Sequence, residues 1–252
     1  MNLALAVVTL PPALALGSFL NVVAVRLPEG RSLVHPPSSC GSCGTQIAWR
    51  DNVPVVSYVL LRGRCRSCCD RIGLRYLAVE LLTAVLVAAC FLRFGLTADA
   101  FVAAFFCSAL VVLSAIDFER HILPDKIVLP ATVAVLVAQL VLHPDQWLEW
   151  ILASLGASLF LFTALLIYPK GMGMGDVKLA LLLGAMLGYD VVVALMLGML
   201  AALVPAIVLL VRHGAAARKM AIPFGPFLAL GAVIALFFGD ALLDAYLSGS
   251  GL

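Results

Sequence analysis

Residues 149–190 read EWILASLGASLFLFTALLIYPKGMGMGDVKLALLLGAMLGYD. Two apolar runs, 149–168 and 177–189, flank a Gly-Met-Gly-Met-Gly loop at 171–175 that ends on Asp176. Runs of this kind approach the ~20 residues that cross a bilayer as a helix, so Asp176 lies near hydrocarbon. A charged acid there costs free energy unless it is paired, solvated or protonated, which makes it a functional-site candidate. A second acid, Asp117, closes another apolar run, Val111-Val-Leu-Ser-Ala-Ile116.

Further apolar runs lie near 3–25, 77–95, 99–116, 127–143, 190–211 and 224–247. Of the 252 residues 63% are hydrophobic and 12% charged, and the mean hydropathy is +1.12. A soluble domain carries about 45–50% apolar residues, so composition excludes one. The expected fold is an all-α polytopic membrane protein with about eight transmembrane helices. The sixth segment is short and joins the seventh through Leu187-Gly188-Tyr189-Asp190, which keeps a seven-helix count open.

Charge favours eight. With eight spans, alternate connections collect every Lys and Arg except Arg93, including Lys170, Lys178, Arg212, Arg218 and Lys219. The positive-inside rule makes that side cytoplasmic and puts both chain ends outside. The first segment has no basic stretch before it, so it reads as a retained helix instead of a cleaved signal.

Between the first two segments lies a polar insertion, 28–76, containing Cys40-Gly-Ser-Cys43 and Cys65-Arg-Ser-Cys68. Four thiolates so spaced can surround one tetrahedral Zn2+. Two disulfides or plain reduced thiols are the alternatives, and a cytoplasmic location disfavours disulfides. So short an insertion buries little core, so a structural zinc serves as its folding nucleus. Cys69 competes as a ligand, but the reciprocal spacing favours Cys65 and Cys68. Cys90 and Cys107 read as small apolar packing residues. The arginines of the insertion suit anionic lipid headgroups; no aromatic platform accompanies them, so nucleic acid is not expected as a partner. The expected division is a first transmembrane helix at 1–27, the zinc insertion at 28–76 and a membrane-embedded domain at 77–252.

On this topology Asp117 and Asp176 share one side and one depth. Two carboxylates brought together hold one proton between them. One then takes a proton from water as it attacks an amide carbonyl, while the other supplies a proton to the carbonyl oxygen. Which is the base stays open. Gly171, Gly173 and Gly175 permit positive φ and close approach to Asp176; a flexible loop bearing a structural acid is the plain alternative. Asp125 reads as the cap of the fourth helix, Glu119 as solvated or paired with Arg120. Glu80, near Arg75 at the start of the second span, must be paired or functional. His35, His121, His143 and His213 show no ligand spacing and read as interfacial.

Taken in order, Gly17-Ser-Phe-Leu-Asn-Val-Val-Ala-Val-Arg-Leu-Pro28, the paired C-x2-C sites, Asp51-Asn-Val-Pro-Val-Val-Ser-Tyr58, Leu61-Arg-Gly-Arg-Cys-Arg66, Arg75-Tyr76 with Glu80, Asp117, and Gly173-Met-Gly-Asp176 resemble the type IV prepilin peptidases. The chain departs from the family pattern at Gly41 and Leu77, where prolines are common. The resemblance implies a bacterial inner-membrane aspartyl protease. It would cut the short basic leader from type IV prepilins or type II secretion pseudopilins at the cytoplasmic face, its partners being those substrates and the lipid bilayer.

The resemblance further implies that Asp117 and Asp176 are the catalytic pair and that Cys40, Cys43, Cys65 and Cys68 bind zinc. It implies N-methylation of the new terminus from S-adenosylmethionine, for which Glu80 is a candidate contact. Two other classes compete. A transporter would use a broken helix at 171–175 to pass a cation, but the hydropathy shows no inverted repeat. A methyltransferase-only or scaffold protein lacks a nucleotide-binding βαβ unit to support it.

Overall fold

A computed structural model describes residues 2–169, 172–214 and 222–250; Lys170, Gly171, Arg218 and Lys219 lie outside them. In chain order the helices are α1 (Asn2–Arg26), α2 (Val56–Leu60), α3 (Leu74–Phe94), α4 (Ala98–Arg120), α5 (Asp125–Leu142), α6 (Trp147–Ile167), α7 (Met174–Leu187), α8 (Val191–His213) and α9 (Gly225–Ser250). Each apolar run of the sequence becomes one helix, because in lipid every backbone N–H and C=O must be satisfied within its own segment. That demand carries the helices through Pro11 and Pro12 in α1, Pro130 in α5 and Pro205 in α8.

Among the described residues six stretches are long and apolar enough to cross a membrane. The 40-residue stretch Met174–His213 contains both α7 and α8. They part at Gly188, whose φ of 56° ends α7 while its N–H caps onto Gly184 O. A left-handed residue is the usual helix terminator and glycine takes it without steric cost, so the sixth and seventh segments are two helices.

The chain divides into two compact units, 1–115 and 116–252, with α4 running from one into the other. In the first unit α1 packs along α3. A Cβ at Gly17 would fall 2.8 Å from Glu80 Cα and 3.3 Å from Thr83 Cβ, so glycine is what lets these backbones meet. Helices in lipid lack a hydrophobic drive toward each other and associate through such small-residue contacts and interhelical hydrogen bonds. One bond of that kind runs from Asn21 Nδ2 to Tyr76 O at 3.0 Å. Cys90 and Cys107 lie buried with sulfurs 3.8 Å apart, as packing residues.

In the second unit α7 is the enclosed helix. Val177, Leu179, Ala180, Leu182, Leu183 and Met186 are all buried, and α5, α6 and α9 pack around it. Its neighbours keep large apolar side chains exposed, among them Val133 and Val137 on α5 and Leu155 and Leu159 on α6. A helix hydrophobic all round belongs in the middle of a bundle. Polar bonds tie it down: Ser154 Oγ donates to Leu181 O at 2.8 Å and Gln139 Nε2 to Met186 O at 3.4 Å. Asp176 therefore stands at the first turn of an interior helix.

Gly17→Ala forces the α3 backbone outward and lowers stability by about 1–3 kcal/mol, the usual cost of overpacking. Thermal unfolding in detergent reads this as a lowered midpoint, lower still for Gly17→Val; wild-type midpoints in both variants would contradict the close α1–α3 approach.

Candidate active site and thiol cluster

Asp117 sits in the last turn of α4 and is 5% exposed. The helix ends at Arg120, and the next residue, His121, takes a left-handed φ of 53° and returns its N–H to Asp117 O. Oδ2 of Asp117 accepts the N–H of Gly225, the first residue of α9, at 3.0 Å. Asp176, 7% exposed, is the third residue of α7. Its Oδ2 accepts the Gly173 N–H at 3.1 Å, so the acid reaches back over its own helix start as in a capping box. An acid in the first turn also meets the positive end of the helix dipole. Among the described residues no further donor reaches either carboxylate.

One cleft of about 280 Å³ contains both carboxylates, together with His121, Leu123, Asp125 and Gly173. The glycines of the loop divide by role. A Cβ on Gly175 would lie 2.9 Å from Leu123 Cβ, so only glycine lets the first turn of α7 seat against the segment joining α4 to α5. At Gly173 a Cβ would meet nothing closer than Asp176 Oδ2 at 3.7 Å, an ordinary contact. Neither residue uses the positive φ that glycine permits: Gly175 is already helical and Gly173 is extended at φ −91°.

Asp125 opens α5 but makes no cap bond. Both its oxygens instead accept from Lys178 Nζ at 2.7 Å. The ammonium on α7 offers a charge-assisted bond that a neutral backbone N–H does not match, and it links the start of α5 to α7 two residues beyond Asp176. His121, Leu123 and Gly225 also belong to this site, and sequence reasoning missed them. The Pro223-Phe-Gly-Pro226 punctuation ahead of the last apolar segment marks a turn, but nothing in it names Asp117 as a partner.

The insertion folds its two C-x2-C pairs into matching turns. Cys40 N–H donates to Thr45 O and Gly44 N–H to Cys40 O; likewise Cys65 N–H donates to Asp70 O and Cys69 N–H to Cys65 O. Gly44 (φ 70°) and Cys69 (φ 59°) occupy equivalent left-handed positions, so Cys69 is the turn residue of the second pair and stands outside the cluster. The ligand atoms of Cys40, Cys43, Cys65 and Cys68 all lie within 4.8 Å of one another, with Cys40 and Cys68 sulfurs 3.8 Å apart. A tetrahedral site with Zn–S bonds of about 2.3 Å has sulfur–sulfur edges of about 3.8 Å, so this donor set fits zinc.

Charge and hydrogen bonds brace the two turns. Arg66 forks onto Asp51 through Nε at 2.8 Å and Nη2 at 2.6 Å, and holds that carboxyl below its ordinary range. The Ser42 hydroxyl donates to Asp70 and lowers it similarly. A hydrogen bond with the Thr45 side chain brings the Cys43 thiol down to about 6, and the Cys68 and Ser67 N–H groups lower Cys65. At Cys68 the Asp70 N–H favours the thiolate, yet desolvation and the neighbouring sulfurs prevail and push it up to about 12. Four thiolates this close do not ionise together without a cation.

Also in the first unit, a cleft of about 450 Å³ is lined by Ser18, Asn21, Arg26, Asp51, Tyr76 and Glu80 among others. Glu80 Oε2 accepts the N–H of Val55 at 2.8 Å, which supplies the partner that an acid on an apolar helix requires. Val55 takes φ 61° to present that N–H. Asn21 is buried, and its Oδ1 has no hydrogen-bond partner.

Residues 12–94 match the family model described as bacterial peptidase A24 N-terminal domain, and residues 104–211 match that of the type IV leader peptidase family. The prepilin leader peptidase/N-methyltransferase of Bacillus subtilis is 32% identical over 236 residues, covering 93% of this chain and 94% of the relative. The protein of the same name from Pseudomonas aeruginosa is 36% identical over 282 residues, covering 99% and 96%. That of Burkholderia pseudomallei is 36% identical over 271 residues, covering 95% and 86%. No solved structure matches the chain. With near-complete coverage by such relatives and both family models falling in chain order, the chain belongs to the type IV leader peptidase family.

Proposed function

We propose that this chain cleaves the leader peptide from type IV prepilins or type II secretion pseudopilins by aspartyl proteolysis and then N-methylates the new terminus. The observation that carries the reading is the single cleft holding Asp117 and Asp176, each with one oxygen engaged by a backbone N–H. In this reading Asp117 and Asp176 are the catalytic residues, and Gly173 and Gly175 form the active-site loop. The pair shares one proton. The ionised carboxylate takes a proton from water, whose oxygen adds to the scissile carbonyl; the protonated partner gives its proton to the carbonyl oxygen. Collapse of the tetrahedral intermediate breaks the C–N bond: the proton taken from water passes to the leaving amine, and a hydroxyl of the gem-diol returns its proton to the other carboxylate as the carbonyl re-forms, which restores the pair.

A prepilin terminus pairs a basic leader with an apolar helix. The helix suits the bilayer and the leader suits anionic headgroups, which puts the scissile bond at the depth where both acids stand. The segregation of Lys and Arg supports a bacterial inner-membrane location with this site and the insertion on the cytoplasmic side. The division of labour follows: a first helix at 1–27, a zinc-ordered insertion at 28–76 with Cys40, Cys43, Cys65 and Cys68 as ligands, and a peptidase domain at 77–252.

For methylation, Glu80 and Asn21 are the residues that would hold S-adenosylmethionine, whose sulfonium supplies an electrophilic methyl group when bound. The carboxylate of Glu80 offers an acceptor of the kind that ribose hydroxyls and amino groups require, and both residues line a cleft of suitable size.

One assay with purified protein, a prepilin and labelled methyl donor separates the parts. Asp117→Asn and Asp176→Asn each abolish leader release while the protein stays folded and inserted; release at the wild-type rate by either refutes the dyad. Glu80→Gln keeps leader release and loses most label transfer and methyl-donor binding, and full transfer with unchanged binding removes Glu80 from that site. Elemental analysis finds one zinc per chain and a substoichiometric amount in Cys43→Ser; a wild type without zinc rejects the metal.

A further inference from the structure

Asp176 is held by its own helix, whereas Asp117 is held by a residue 108 positions away. The donor is Gly225 N–H, one of the first-turn N–H groups of α9 that has no intrahelical acceptor. That bond is buried, and the space around it is closed. A Cβ at Gly225 would sit 2.9 Å from Asp117 Oδ2, 3.4 Å from its Cγ and 3.3 Å from Leu123 Cδ2. Leu123 in turn is the side chain that a Cβ at Gly175 would strike at 2.9 Å. Leu123 is thus lodged against two helix starts: α7, which carries Asp176, and α9, which holds Asp117.

We infer that Gly225 is a positioning residue for Asp117, with Leu123 setting the distance between the first turns of α7 and α9. This rests on the reading of Asp117 and Asp176 as the catalytic pair. The chemistry follows from which oxygens are engaged. An oxygen already accepting an N–H bond is the poorer seat for an acid proton, and Oδ2 is so engaged in both residues. The shared proton and the attacking water are left to the two Oδ1 atoms. Any side chain at 225 pushes Asp117 off this arrangement, while the substrate's apolar helix and basic leader bind as before.

A packing role alone makes a different prediction, and Gly198 supplies the comparison. It too is a close-contact glycine between α8 and α9, where a Cβ would meet Leu228 Cα and Phe227 O at 3.0 Å, with no carboxylate near. The experiment measures kcat and KM for prepilin cleavage by the full-length protein in proteoliposomes, per folded molecule, for wild type, Asp117→Asn, Gly225→Ala, Gly198→Ala and the double variant Gly225→Ala/Leu123→Ala. Gly225→Ala lowers kcat about 10- to 100-fold, as misplacement of a reacting group does, with KM nearly unchanged. Removing Leu123 gives the added methyl room and restores part of the lost kcat. Gly198→Ala lowers the melting temperature and leaves kcat near wild type.

A wild-type kcat in Gly225→Ala overturns the inference, as does a loss confined to KM or one equal to the loss in Gly198→Ala. These outcomes, with Asp117→Asn inactive, leave the catalytic dyad standing. Cleavage by Asp117→Asn, or a wild type that leaves prepilin uncut, sinks the dyad and this inference with it.

Discussion

A carboxylate at the end of an apolar helix must find donors, and in this protein the donors are backbone N–H groups at the starts of other helical turns. Asp176 uses the turn that begins its own helix, through Gly173. Asp117 uses the start of α9, through Gly225. Meeting both demands ties three helices to one place: α4 must end where α9 begins, and α7 must begin beside the segment that leaves α4. The free energy involved is that of leaving a buried ionisable group without a partner, which exceeds what a surface ion pair returns. The Lys178–Asp125 pair, partly exposed at 30% and 55%, accordingly braces the rim while the N–H bonds set the acids.

Close helix approach is the means by which those bonds become possible. Membrane helices bring backbones together at small residues, and Gly175 and Gly225 put that device to work at the site. Each faces Leu123 where a methyl group has no room. The same device at Gly17 brings Glu80 up to α1, beside buried Asn21 and within reach of the Val55 N–H. An acid in each unit is therefore placed by a glycine that is itself chemically inert.

The insertion follows a different rule. It has too little apolar content to bury a core, and its order comes from two hydrogen-bonded turns, the Arg66–Asp51 fork and four thiols gathered within 4.8 Å. A metal whose binding free energy is folding free energy suits such a segment. Cys69 shows how local geometry sorts ligands: it stands where the first turn has Gly44, in a left-handed conformation, so the turn itself removes it from the ligand set.

Period and composition determined the helices. Each run of Ala, Leu and Val had to be helical because lipid offers its backbone no other partner, and the segregation of Lys and Arg favoured two helices where Leu187-Gly188-Tyr189-Asp190 left the count open. The C-x2-C pairs were legible as one cluster because reciprocal spacing is a local property. Asp117 and Asp176 stood out because acids are costly there. What the sequence did not determine was the company these acids keep. It suggested that Asp125 caps a helix, where the fold gives it Lys178; it treated the loop glycines alike, where of the two described Gly175 is sterically required and Gly173 is not; and it read His121 as interfacial and passed over Leu123 and Gly225. Those assignments depend on contacts between segments as far as 108 residues apart. No periodicity encodes such contacts, since they arise only when helices pack and each buried polar atom settles on whichever donor the packing delivers.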